Sequence, residues 1–248
     1  SLRQHMRQQA LQKPLFMREW AKSNRAAALF ERKHRVSDFR YKRGVKRRRR
    51  QEKDMREANI KYVQDNRELV ERGRHWGCLK RFSQLVLHHP DRIEQEVGDE
   101  GLVRSSLRNC LDFITPEIPS LSQLAELKCA SQSLYVESVL LAACLEIMRV
   151  NGNLEGVDVR LLQALRTNLH VSYSAVSSDD RNELQNEVDR LIFSSAENIE
   201  NFLRQYLEPQ LAQKGCASTD IWLLRNDEVF RNLRSKLSVE WLELFDRM

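Results

Sequence analysis

His75 and Cys78 stand three apart in "RGRHWGCLKRF", so a helix would turn both toward one side, as two ligands of a metal ion would be. Two ligands do not close a zinc site, and neither CxxC nor HExxH occurs anywhere in the chain. The pair therefore reads as a loop histidine beside a buried cysteine. His88 and His89 precede Pro90 and read as helix-end residues, favourable against the helix dipole, rather than as an acid–base pair. Asp179 and Asp180 fall where a first helical turn is expected, and carboxylates there offset the N-terminal dipole without any catalytic role. No GxxxxGK[ST] loop is present to cradle phosphates and no GxGxxG to hold a dinucleotide. No serine or cysteine has a recognisable base partner. The chain is expected to be no enzyme, with no cofactor and no metal.

The strongest chemical signal is electrostatic. "YKRGVKRRRRQEKD", residues 41–54, is dominated by Lys and Arg. Three readings stay open for it: the solvated face of a long helix, a surface that docks on an acidic protein partner, or a phosphate grip for nucleic acid. A nuclear address would have the same composition. Consecutive arginines 47 to 50 fan around a helix at about 100° steps, so no flat partner can use all of them. Lys42, Lys46, Arg49, Lys53 and Arg56 recur at three or four residues and line one stripe, the candidate contact to a partner or to phosphates. Only Phe39 and Tyr41 interleave with the run as a base-stacking platform would require. The four tryptophans, Trp20, Trp76, Trp222 and Trp241, all neighbour apolar periodic residues and read as packing.

The whole chain of 248 residues carries a net charge of +6, which hides a division. Residues 1–75 hold 23 Lys or Arg against nine Asp or Glu, net +14; the remainder holds 18 against 26, net −8. An asymmetry of this size points to two units with different surroundings. The expected organisation is a basic long-helix arm over residues 1–73 and an acidic α-helical domain over 74–248. Eight glycines and five prolines leave few breakers, which makes the fold class all-α: a long basic N-terminal helical arm followed by a compact multi-helix domain, either helical-repeat-like or an irregular bundle.

Along the arm, Pro14 stops a first short helix, and no proline follows before about Val70. One or two long helices are expected there, with a bend or break at Gly44. Further on, helices are expected at 100–114 with Asp99 as cap, at 121–150 behind a Ser120/Gln123 capping box, and at 157–169, 178–193, 195–213, 218–234 and 238–246. Ser177, Ser195 and Ser238 are candidate caps. "LYVESVLLAACLEIM" is apolar nearly all round and is expected to be the core. The apolar run near "VLLAACLEIM" is far shorter than the roughly 20 residues of a membrane span. Cys78, Cys110, Cys129, Cys144 and Cys216 are odd in number and none is close to another in sequence, which argues against a disulfide framework and for a reducing, cytoplasmic setting. The opening "SLRQHM" is expected to be a trimmed end or the start of a piece of a longer protein.

From "GRHWGCLKRF" through "PDRIEQEVGDEGLVRSSLRNCLDFI" to the closing "DEVFRNLRSKLSVEWLELF", the chain resembles the α-helical region beyond the nucleotide-binding core of large bacterial NACHT or STAND-type ATPases. The resemblance covers roughly residues 55–248 and includes no catalytic residue. It implies a non-catalytic helical scaffold that connects an ATPase switch to sensing and effector parts, often in defence against phage. Its partners would be other sections of a larger chain or an acidic protein. The alternative is a sequence-independent nucleic-acid-binding module that uses residues 41–56. No contact with a membrane is expected.

Overall fold

A computed structural model describes residues 2–216 and 218–245. Among these every regular element is helical and none is a strand. The chain divides into two compact units, Ser1–Ala58 and Asn59–Met248, so residues 59–73 of the expected arm belong to the second unit.

The first unit begins with α1 (Leu2–Gln12). Pro14 has no N–H to continue that helix, but as the first residue of the next it costs nothing. That helix, α2 (Pro14–Asp65), runs 52 residues without interruption, its final residues, 59–65, entering the second unit. The expected break at Gly44 does not occur. A Cβ at Gly44 would meet nothing within 4 Å, so the glycine is an ordinary solvent-side helical position, and one glycine costs a helix only about 1 kcal/mol.

The second unit opens with α3 (Arg67–Glu71) and turns at Gly73, whose φ of +65° suits glycine. The turn also needs the missing side chain: a Cβ there would sit 2.6 Å from the Cys110 amide nitrogen. Then follow α4 (Trp76–His88), a 3-10 turn at Pro90–Arg92, α5 (Ile93–Val97) and α6 (Glu100–Arg108). The Asp99 carboxylate accepts from the Leu102 amide at 2.8 Å, the expected cap. The helix expected over 100–114 is interrupted at Asn109 and Cys110, and α7 (Leu111–Ile114) is separate. Ser120 and Gln123 cap α8 (Leu121–Cys129) reciprocally, as their spacing predicts.

The helix expected over 121–150 is in fact two. Ser131, at φ +53°, breaks it, and α9 (Tyr135–Asn151) starts afresh, with Glu137 Oε2 accepting from the Leu134 amide at 2.9 Å. The break falls at "SQS", where the apolar pattern pauses and the Ser131 and Gln132 amides turn back to the Lys128 and Leu127 carbonyls to close α8. α9 is the core of the second unit. Its residues from Val136 to Ile147 are buried except Glu137, and α4, α6 and α10 (Val159–Asn168) pack around it. α11 (Ser178–Ile192), capped by Ser177, packs on α10, and α12 (Ala196–Ala212), capped by Ser195, packs on α8.

Near the end, the expected helix at 218–234 is α13 (Trp222–Asn226) followed by a 3-10 turn, Glu228–Leu233. α14 (Arg234–Phe245) then begins four residues before Ser238, which is therefore interior rather than a cap. "DIWLLR" is helical from its tryptophan onward. Among the described residues, no helix is long and apolar enough to cross a membrane.

One covalent feature corrects the reading of the cysteines as unpaired. Cys129 and Cys216, 87 residues apart, form a disulfide. Sequence distance conceals it because the packing of α12 on α8 sets the end of one helix beside the loop after the other. Cys78, Cys110 and Cys144 are free and buried. Burial pushes all three thiols up, Cys110 to about 12, which keeps them protonated and unreactive.

Candidate interaction surface

Because α2 is continuous through the basic run, the five stripe residues have a defined arrangement. At 100° per residue Lys42, Lys46, Arg49, Lys53 and Arg56 fall within a sector of about 80°, over an axial length of about 21 Å. Lys42, Lys46, Arg49 and Lys53 are exposed, and Arg56 is half-buried. Lys53 lies 3.6 Å from Glu57, one turn on. Among the described residues Lys42, Lys46 and Arg49 have no ion pair, so their charge is available to a partner. Arg47, Arg48 and Arg50 point elsewhere around the helix, as the fan of consecutive arginines requires. Phe39 and Tyr41 are exposed beside the run.

The other singled-out groups are absorbed by the architecture. His75 caps α4: its Nδ1 accepts from the Cys78 amide at 3.1 Å, leaving Nε2 to donate to the Tyr62 hydroxyl at 3.0 Å. Both ring nitrogens are thus engaged, and among the described residues no group of three metal-ligating side chains assembles. His88 ends α4 and lies 3.2 Å from the Ser174 hydroxyl. Asp179 and Asp180 occupy the first turn of α11, where the Asp180 amide donates to the Ser177 hydroxyl at 3.0 Å. Trp76 meets Phe113 edge-on, Trp222 donates to Asp220, and buried Trp241 donates to Glu208.

The structure also holds polar groups that no sequence pattern announced. Arg166 is buried between Asp189 and Asp227 at 2.6 and 2.5 Å. Glu146, on the core helix, is buried between Arg104 and Arg149 at 2.6 and 2.7 Å. Asp220 is buried and accepts from Tyr206 at 2.6 Å, with Lys128 3.2 Å away. Lys128 and Tyr206 also line a cavity of about 280 Å³ together with Glu137 and His170. Burial raises the Glu137 carboxyl and lowers the His170 imidazole, disfavouring charge on both. Apart from Glu146 and Arg149, which are three apart on α9, the ion-paired and hydrogen-bonded partners in these groups stand 14 to 92 residues apart, beyond the reach of any local spacing rule.

No family model, curated protein or solved structure matches this chain.

Proposed function

We propose that this chain is a non-catalytic α-helical scaffold that works by protein contacts, a section of a larger NTPase of the NACHT or STAND type acting in antiviral defence. The observation that carries the contact role is the stripe on α2, which presents cations on one side of an uninterrupted helix. An acidic protein surface is the partner such a stripe selects, because complementary charge steers encounter and sets register. The ATPase setting rests on the sequence resemblance alone. The isolated chain, which lacks a phosphate loop, should not hydrolyse ATP or GTP; turnover that vanishes on a single substitution would refute the non-catalytic reading. A cytoplasmic setting is part of the proposal, and the Cys129–Cys216 bond weighs against it.

A second reading is favoured by the same exposure: three of the five stripe cations have no ion pair among the described residues, as a phosphate-binding surface requires. Both readings are tested by replacing Lys42, Lys46, Arg49, Lys53 and Arg56 with Glu. Nucleic-acid binding through about five phosphates gives a slope of log affinity against log salt near −4.5, lost in the variant. Protein docking predicts weak binding to mixed-sequence nucleic acid at physiological salt. It also predicts a variant with a loosened arm and faster cleavage near Gly44 and Gly73.

A further inference from the structure

The continuity of α2 creates a second face that the basic stripe does not use. From Phe16, steps of four and three residues alternate without a slip to Ala58. This seam carries Phe16, Trp20, Ala27, Phe30, Tyr41, Met55 and Ala58, with Ser23, His34, Ser37, Gly44, Arg48 and Gln51 between them. It is the a/d pattern of a coiled coil, with Trp20, Ala27, His34, Tyr41, Arg48 and Met55 at a, and Phe16, Phe30 and Ala58 among the d positions. Beyond Phe16 and Trp20, which are half-buried, the large side chains of the seam are uncovered: Phe30 and Tyr41 are each 68% exposed and Met55 64%. The seam covers about 63 Å of helix. On a straight helix a strict seven-residue repeat drifts by about 20° per heptad, so this seam turns through about 120°. It stays against a partner only if two helices wind around each other.

The flanking charges identify the partner. The e positions are Met17, Asn24, Glu31, Asp38, Val45 and Glu52, where every charge is negative. The g positions are Glu19, Ala26, Lys33, Arg40, Arg47 and Asp54, and the central charges are positive. In a parallel pair of identical helices each g residue meets the e residue five further along on the other chain. Lys33 then faces Asp38 and Arg47 faces Glu52, while Glu19, Ala26 and Arg40 face Asn24, Glu31 and Val45. No like charges meet across these g–e pairs; within the seam Arg48, at a, meets its own counterpart, a polar layer of the kind that fixes register at a cost in stability. An antiparallel pair sets g against g and e against e, bringing Lys33, Arg40 and Arg47 together and Glu31 and Asp38 together, which is repulsive. We infer that α2 is a parallel, in-register homodimerisation helix, and that the partner covering Phe30 and Tyr41 is a second copy of this chain.

Lys42, Lys46, Arg49, Lys53 and Arg56 occupy only b and f positions, the outer side of such a pair. Dimerisation therefore leaves the basic stripe free and presents two of them. This inference does not depend on the stripe's partner.

The test is the mass of the full chain in solution by sedimentation, across protein concentration and salt. The expected result is twice the 29.2 kDa of one chain. Association should strengthen as salt screens the net positive arms, opposite in sign to binding of nucleic acid or an acidic protein. Phe30→Glu with Tyr41→Glu should weaken association by tenfold or more on a scale of about 1.4 kcal/mol per tenfold. Phe39→Glu, an equally drastic change at an f position, should leave it intact. Ser37→Cys, at d, should cross-link to its own counterpart under oxidised glutathione, whereas Lys46→Cys, at f, should not. A monomer under all conditions, equal loss in the Phe39 and Phe30/Tyr41 variants, or cross-linking at Lys46→Cys but not Ser37→Cys would each overturn the proposal.

Discussion

Arg166 offers the sharpest test of how the second unit is held together. Its side chain is 3% exposed, with Nε 2.6 Å from Asp189 and Nη2 2.5 Å from Asp227, and its guanidinium sits 5.5 Å from the Phe230 ring centre. It joins α10 to α11 and to the corner before the 3-10 turn at Glu228. Arg166→Met keeps most of the volume but leaves two mostly buried carboxylates facing one another without a counter-charge. Breaking a buried ion group by removing one partner costs about 3–5 kcal/mol, and that is the loss expected at pH 7. The pH dependence follows from linkage. Burial already raises Asp189, with Arg166 pulling the other way, so removing the arginine raises it further. A carboxyl whose folded pKa lies above its unfolded value of about 3.9 binds more protons when folded, so stability falls as pH rises through that window and returns as pH is lowered. The deficit should shrink toward pH 5 by at most about 1.4 kcal/mol per pH unit for each proton taken up. Urea denaturation at pH 7 and pH 5 measures both, and adding Asp189→Asn and Asp227→Asn to the Arg166→Met chain should restore most of the loss. A deficit under about 1 kcal/mol at pH 7, far below the range for a broken buried ion group, would refute the reasoning. So would a deficit that does not diminish at pH 5.

Two further outcomes follow from the core and its cross-link. Leu140 is 1% exposed on α9, so Leu140→Asp buries an unpaired charge; thermal circular dichroism should lose its cooperative transition, and a normal, cooperative melt would contradict the placement of α9 as the core. The Cys129–Cys216 bond closes a loop of 87 residues, for which the chain-entropy model gives about 4–5 kcal/mol. Dithiothreitol, or Cys129→Ala with Cys216→Ala, should lower the guanidinium midpoint accordingly, and equal midpoints with and without reductant would show that the bond does not form.

The all-α class was legible because scarcity of glycine and proline is a global property, and the core helix because "VLLAACLEIM" is apolar on every side. Caps were legible too. Asp99, Ser120, Ser177 and Ser195 each act within three residues, the range over which sequence and structure speak the same language. Expectations failed where two local signals competed. Gly44 read as a breaker, but a single glycine in solvent is too weak to stop a helix flanked by good formers. "SQS" was absorbed into a helix that it in fact divides, since the apolar pattern on either side keeps helical phase across the break. That Lys42, Lys46, Arg49, Lys53 and Arg56 fall on one side of a helix was legible because all five share α2. The disulfide, the Arg166 and Asp220 groups and the reach of Arg104 to Glu146 were not, because only the packing of separate elements brings their members together.

The Cys129–Cys216 bond also determines how the chain would bear load. If the chain were drawn out from its two sides, tension reaching Cys129 would pass through the sulfur atoms to Cys216 and bypass the backbone between them. α9, α10, α11 and α12 all lie inside that bypass. Roughly 300 Å of contour, 87 residues at about 3.4 Å each, would stay hidden from an extending force until the bond is reduced. The oxidised protein would therefore lengthen only through α1 to α8 and through α13 and α14, with its most apolar helix out of the line of pull. A force–extension trace would gain that hidden length in a single reductant-dependent increment.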